Sequence, residues 1–104
     1  MKYRKVTAIL RCSALEGVEK ALLRQGVKGV SITQVQGYGE YHNFYQPDLM
    51  CKHARVEIFC EDSEAKDIAR CLMDAAHTGE SGDGLVAILP VEDVFKVRTK
   101  TSMA

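Results

Sequence analysis

Two stretches of helical periodicity sit between runs that read as strands, and their order restricts the fold more than any other property of the sequence. Residues 4–11, Arg-Lys-Val-Thr-Ala-Ile-Leu-Arg, have an apolar centre and charged ends, the pattern of a buried strand. Ser13 follows with Glu16 three residues on, which reads as a capping box at a helix start. Leu15, Val18 and Leu22, with Ala21 beside them, share one helical face, and Gly26 is placed to end that helix in the left-handed conformation. Residues 30–35 are β-branched and strand-like. Residues 38–53 show neither period and contain Pro47, so they read as a long loop, and loops of this length inside a compact domain are usually functional. Residues 55–60 form a third strand. A second helix is predicted from Ser63 to His77, with Asp62 or Ser63 as its cap and Gly79 as its end. Residues 79–84 make a glycine-rich turn, 85–89 a fourth strand stopped by Pro90, 94–98 a short last strand, and 99–104 a loose tail.

This order is β-α-β-β-α-β with an extra short strand at the end. It predicts an α+β, ferredoxin-like sandwich: an antiparallel sheet with both helices on one face. A chain of 104 residues without a linker or low-complexity tract fits one domain, 1–104. Such a chain buries roughly two-thirds of its unfolded surface and needs no staples. Fourteen basic residues cancel fourteen acidic ones, which argues against bulk binding to nucleic acid or an anionic membrane but leaves room for a local anion site. No apolar run approaches the roughly 18 residues of a membrane span, and the first residues lack a signal-peptide pattern. The expectation is a cytoplasmic protein with no direct membrane insertion. Cys12, Cys51, Cys60 and Cys71 include no Cys-x-x-Cys pair, which excludes a zinc ribbon or thioredoxin-like motif. Cys60 and Cys71 fall on apolar stretches and read as small hydrophobes. Cys51, Lys52 and His53, with His42, could hold a metal, but an exposed thiol beside a histidine is the simpler reading, and no metal site is assigned.

No Ser, Cys or Lys has a general base at a recognisable spacing, and His42, His53 and His77 stand alone, so no catalytic residue is assigned. Anion binding is better supported. Gly82-Asp83-Gly84 lets the backbone approach a ligand and point N–H groups at it, though alone Gly-x-Gly is a weak signal, and Gly37-x-Gly39 is equally weak alone. Lys96 and Arg98 are two apart on the predicted last strand, so both would leave one face, where paired cations suit a phosphate. Tyr38, Tyr41, Phe44 and Tyr45 are four of the seven aromatics, and all lie in the long loop. They suit a protein partner. Folding back to cover a cleft of the protein's own assembly is the other reading.

Taken together, residues 6–10 (Val-Thr-Ala-Ile-Leu), Gly29-Val-Ser-Ile-Thr-Gln-Val-Gln-Gly-Tyr-Gly39, Val56-Glu-Ile58, Thr78-Gly-Glu-Ser-Gly-Asp-Gly84 and Val94-Phe-Lys-Val-Arg-Thr99 resemble the PII signal-transduction family over nearly the whole chain. The resemblance implies a homotrimer of ferredoxin-like subunits with adenine nucleotides in the three clefts between them. It also implies that the loop at about 38–53 is the family's T-loop, which docks onto a membrane transporter or metabolic enzyme. Carried over by position, Ile9, Ser31, Gly37, Gly39 and the backbone at Glu57, Ile58 and Phe59 would line the adenine and ribose pocket. Gly82, Asp83 and Gly84 would hold phosphate through main-chain N–H groups. Lys96 and Arg98 would reach phosphate, at least one of them across the subunit boundary.

The chain departs from nitrogen-sensing members in ways that bear on ligand choice. Glu40 and Tyr41 stand where those members have Arg-Gln, and the Gln helps bind magnesium and 2-oxoglutarate. His53 and Leu85 stand where the family has lysines near the outer phosphates. A hydrogen bond to a charged group is worth about 1.5–3 kcal/mol, so losing two would weaken a triphosphate roughly a hundredfold or more. The loop is also several residues shorter, and the family's uridylylated tyrosine has no secure counterpart at Tyr45. The resemblance therefore implies a non-enzymatic regulator that binds AMP or ADP, or cyclic AMP, in preference to MgATP with 2-oxoglutarate. A related branch, tied to bicarbonate transport and carboxysomes, would sense bicarbonate with ADP or AMP. A small ferredoxin-like hydrolase is the rival of another class, but no phosphate loop with Arg and a water-orienting Asn is present. An RNA-recognition sheet is disfavoured because strands 4–11 and 85–89 carry no stacking aromatic and 55–60 carries only Phe59.

Overall fold

The structure, a computed structural model, describes residues 2–35 and 53–103. Tyr3–Arg11 is strand β1, Leu15–Gln25 helix α1, Ser31–Val35 β2, His53–Glu61 β3, Ala65–Ala76 α2 and Gly84–Val91 β4. Phe95–Lys96 (β5) and Thr101–Ser102 (β6) form a separate two-stranded ribbon. The main sheet has the order β2-β3-β1-β4, with every neighbouring pair antiparallel. Each helix therefore links strands that lie two places apart in the sheet, and the two β-α-β units interlock as in a ferredoxin-like sandwich.

Alternation along the strands explains why one face is packed. Val6, Ala8 and Leu10 of β1 and Val56, Ile58 and Cys60 of β3 point to the helices. There they meet Val18 and Leu22 of α1 and Ile68, Leu72 and Ala76 of α2 in one buried cluster. The other face carries Lys5, Thr7 and Ile9 beside Phe59, Glu57 and Arg55 of β3 and Leu89, Ala87 and Leu85 of β4, as the registers place them. Among the described residues, no helix covers this second face.

Several predicted details are corrected. The capping box at Ser13 does not form: Cys12–Ala14 is a 3-10 turn, so Ser13 lies within the turn rather than ahead of it, and no side chain caps either start. A 3-10 turn at Asp62–Glu64 leads into α2 in the same way. The Asp62 carboxylate pairs instead with Arg4 at 2.6 Å, so it does not cap the helix. Gly26, at φ 88°, does end α1, and Val27 N–H returns to the Leu22 carbonyl. Gly79 does not end α2: the helix stops at Ala76 with His77 extended, and the positive φ of Gly79 serves the turn beyond it. Pro90 does not stop β4, which continues to Val91. Because β4 is an edge strand, the missing N–H faces no partner strand. The tail makes contacts as far as Met103. Met103 N–H donates to the Val94 carbonyl, Tyr3 Oη donates to the Met103 carbonyl at 2.9 Å, and Ser102 Oγ donates to Asp93. His53 belongs to β3, not to the preceding loop, and is 2% exposed.

Candidate functional site

The glycine-rich turn, residues 78–83, closes on its own carboxylate. Asp83 accepts hydrogen bonds from Thr78 N–H at 2.8 Å, Gly79 N–H at 3.0 Å and the Thr78 hydroxyl. Arg11, at the end of β1, lies 3.5 Å from the same carboxylate. The Thr78 hydroxyl and N–H, then Gly79 N–H and Arg11, outweigh desolvation and pull the Asp83 pKa down to about 2. The side chain of Asp83 is thus committed to the turn, which leaves its main chain as the part that can meet a ligand.

Two further side chains hold the turn from the sheet. Arg11 Nη2 donates to the Ser81 carbonyl. His53 stands opposite Arg11 in the β1–β3 register, and its Nε2 lies 3.2 Å from the Gly82 carbonyl. A carbonyl oxygen can only accept, so Nε2 carries the proton. The glycines are required by geometry. Gly82 and Gly84 have φ of 98° and 103°. A Cβ on Gly84 would overlap the Ile9 carbonyl oxygen, because β4 leaves the turn directly against β1. Beside the turn, Leu10, Met73, Ala76, His77, Gly84, Leu85 and Val86 help line a mainly apolar cleft of about 210 Å³.

The other sequence-predicted residues lie elsewhere on the chain. Ser31, Glu57, Ile58 and Phe59 line a groove of about 790 Å³ with residues 26–30, Tyr3 and Met103. Glu57 pairs with Lys5 and with Arg55, at 2.5 and 3.2 Å, and the Lys5 hydrogen bond is the main reason its pKa is lowered. Phe59 remains 59% exposed. Lys96 lies on β5, but Arg98 falls in the turn between β5 and β6, so the expectation that both leave one face of a strand is corrected. The ribbon is tied to Tyr3, at one end of β1, whereas Arg11 and the glycine turn are at the other. Eight strand residues at ~3.4 Å each put these ends ~27 Å apart. Ile9 lies next to Gly84 and faces Arg55, two residues from Glu57, while Ser31 pairs with Glu57; what one chain keeps apart is the glycine turn and the ribbon that carries Lys96 and Arg98. Gly37, Gly39, Tyr38, Tyr41, Phe44 and Tyr45, together with His42 and Cys51, lie outside the described residues.

Sequence reasoning missed Arg11 and assigned His53 to a loop. Their opposition follows from strand register, which neither periodicity nor spacing reveals. The one available signal was that a charged residue and a polar one each sit at the end of an apolar strand next to the glycine turn.

Comparison with known proteins shows the family. The family model described as "Nitrogen regulatory protein P-II" matches residues 3–101. The chain is 33% identical to the nitrogen regulatory protein P-II of Azospirillum brasilense, over 92% of each chain. It is 39% identical to the nitrogen regulatory protein GlnK2 of Haloferax mediterranei, over 90% of this chain and 82% of that one. With the P-II homolog of Arabidopsis thaliana it shares 34% identity over 94% of its length, and it spans about half (54%) of that relative. The crystal structure of Arabidopsis thaliana PII bound to citrate superimposes with a TM-score of 0.84 at 35% identity, covering 97% of this chain and 88% of that one. The chain belongs to the P-II nitrogen regulatory protein family.

Proposed function

We propose that this protein is a regulator that binds AMP or ADP in clefts between three identical subunits and passes the ligand state to a transporter or enzyme through the loop that precedes His53. The observation that carries this reading is the separation of two half-sites on one chain. The glycine turn lies at the Arg11 end of β1, the ribbon that carries Lys96 and Arg98 is tied to the Tyr3 end, and the Ser31–Glu57–Phe59 groove runs from mid-sheet toward that second end. A surface patch that needs a different patch for completion produces a head-to-tail contact, and a rotation that closes produces a ring. The uncovered sheet face, with Ile9, Phe59, Leu85 and Leu89 among paired charges, suits burial in such an assembly.

The nucleotide preference rests on two positions. Leu85 offers no cation beside the glycine turn, and His53 is directed at Gly82 rather than at a ligand. Both favour one or two phosphates over three. Calorimetry against AMP, ADP, cyclic AMP and MgATP, each with and without 2-oxoglutarate or bicarbonate, tests the reading on material whose mass is measured by light scattering. Trimers that bind ADP more tightly than MgATP support it. Monomers, or MgATP binding strengthened by 2-oxoglutarate, overturn it, and bicarbonate-dependent ADP binding selects the inorganic-carbon branch.

A further inference from the structure

Taking the glycine turn as the anion-binding element just proposed, we infer that His53 and Arg11 are the positioning residues that aim its peptide N–H groups. A trans peptide is planar, with its C=O and N–H pointing in opposite directions. His53 Nε2–H holds the Gly82 carbonyl toward β3, which directs the N–H of Asp83 to the opposite side of the turn. Arg11 Nη2 holds the Ser81 carbonyl toward β1, which directs the N–H of Gly82 the same way. Two successive carbonyls turned toward the sheet therefore present two successive N–H groups away from it, the arrangement that makes an anion-binding nest. The Asp83 carboxylate occupies the N–H groups of Thr78 and Gly79, so the donors aimed by His53 and Arg11 are distinct from those that close the turn.

Burial makes this aim rigid. His53 is almost fully enclosed and Gly82 is buried, so neither partner has water as a ready substitute. Both positioning side chains stand on the two central strands, where pairing fixes their spacing. A flip of the 82–83 peptide would break the His53 bond and turn a carbonyl, in place of an N–H, toward the anion.

The test compares wild type, His53→Leu and His53→Gln for binding of ADP and of adenosine, with amide spectra of each ligand-free protein. Leu fills the site without a donor, and Gln restores a neutral N–H donor of similar reach. His53→Leu is expected to bind ADP about tenfold or more weakly, the scale of one lost hydrogen bond to a charged group, while adenosine binding is unchanged. Its Asp83 amide resonance shifts or broadens while those of Val6 and Leu72 stay in place, and His53→Gln recovers most of the ADP affinity. Equal losses for ADP and adenosine would show a merely structural role and overturn the inference. So would wild-type ADP affinity in His53→Leu. If wild type binds neither ADP nor inorganic pyrophosphate, the anion-binding reading of the turn falls, and the positioning role falls with it.

Discussion

Gly84→Ala places a methyl group where β4 leaves the glycine turn, and its cost follows from two independent features. The residue has φ 103°, a conformation that L side chains avoid. Left-handed backbone costs a non-glycine residue roughly 1–2 kcal/mol. The new Cβ would also overlap the Ile9 carbonyl oxygen, which is backbone and cannot rotate away. Forcing atoms into a packed region costs about 1–3 kcal/mol, so the sum is about 2–5 kcal/mol. A domain of this size has only about 5–15 kcal/mol to lose. At about 4–8 °C per kcal/mol, the melting temperature should fall by at least ~8 °C. Urea unfolding followed by circular dichroism, at one fixed protein concentration, measures the loss. Gly17→Ala is the control, since nothing lies within 4 Å of its added Cβ in α1. There the gain in helix propensity should stabilise by about 0.5–1 kcal/mol. A loss at Gly84 below about 1 kcal/mol, the size of an ordinary point substitution, would refute the claim that close approach of β1 dictates glycine.

Three other outcomes follow from named contacts. Asp83 has a folded pKa of about 2 against an ordinary 3.8, so its contribution is complete above the ordinary value and is lost as pH falls through the folded one. Acid titration of wild type should show this loss between about pH 4 and 2, and Asp83→Asn should flatten that part of the profile. Leu72→Ala removes a fully buried side chain between α2 and the sheet and should cost about 2–5 kcal/mol by urea unfolding. Leu85→Lys puts an ammonium beside the glycine turn, and calorimetry should show ATP affinity rising about tenfold relative to AMP, the scale of one charged hydrogen bond.

The parts of the fold set by local pattern were legible in the sequence. The apolar centre of residues 4–11 gives a buried strand, and Ile68, Leu72 and Ala76 give a helix stripe, because each pattern is local to one element. The glycine turn was legible for a related reason: three glycines at φ near 90–100° are what such a backbone needs. The misses depended on neighbours. Pro90 continues a strand only because that strand is at an edge. Ser13 fails as a cap because a 3-10 turn follows β1 at once. The tail is ordered through Tyr3, a hundred residues away in sequence. His53 and Arg11 meet the glycine turn only after β1 and β3 have chosen their register.

The same logic explains why the residues named from the resemblance are not all brought together within one chain. Strand direction in the sheet sends β1 from Tyr3, beside the C-terminal ribbon, to Arg11, beside the glycine turn. No bending of a paired central strand brings those ends together, since β1 is bonded on both sides along almost its whole length. A ligand that needs both the glycine turn and the ribbon cations must therefore find them on different subunits. Neither half alone encloses it, because the cleft at the turn is small and largely apolar while the groove at Ser31 and Phe59 is wide and open. On the proposed reading, occupancy and assembly are then one equilibrium. A nucleotide that binds only the closed ring stabilises the ring by an amount that grows with the ratio of free nucleotide to its dissociation constant.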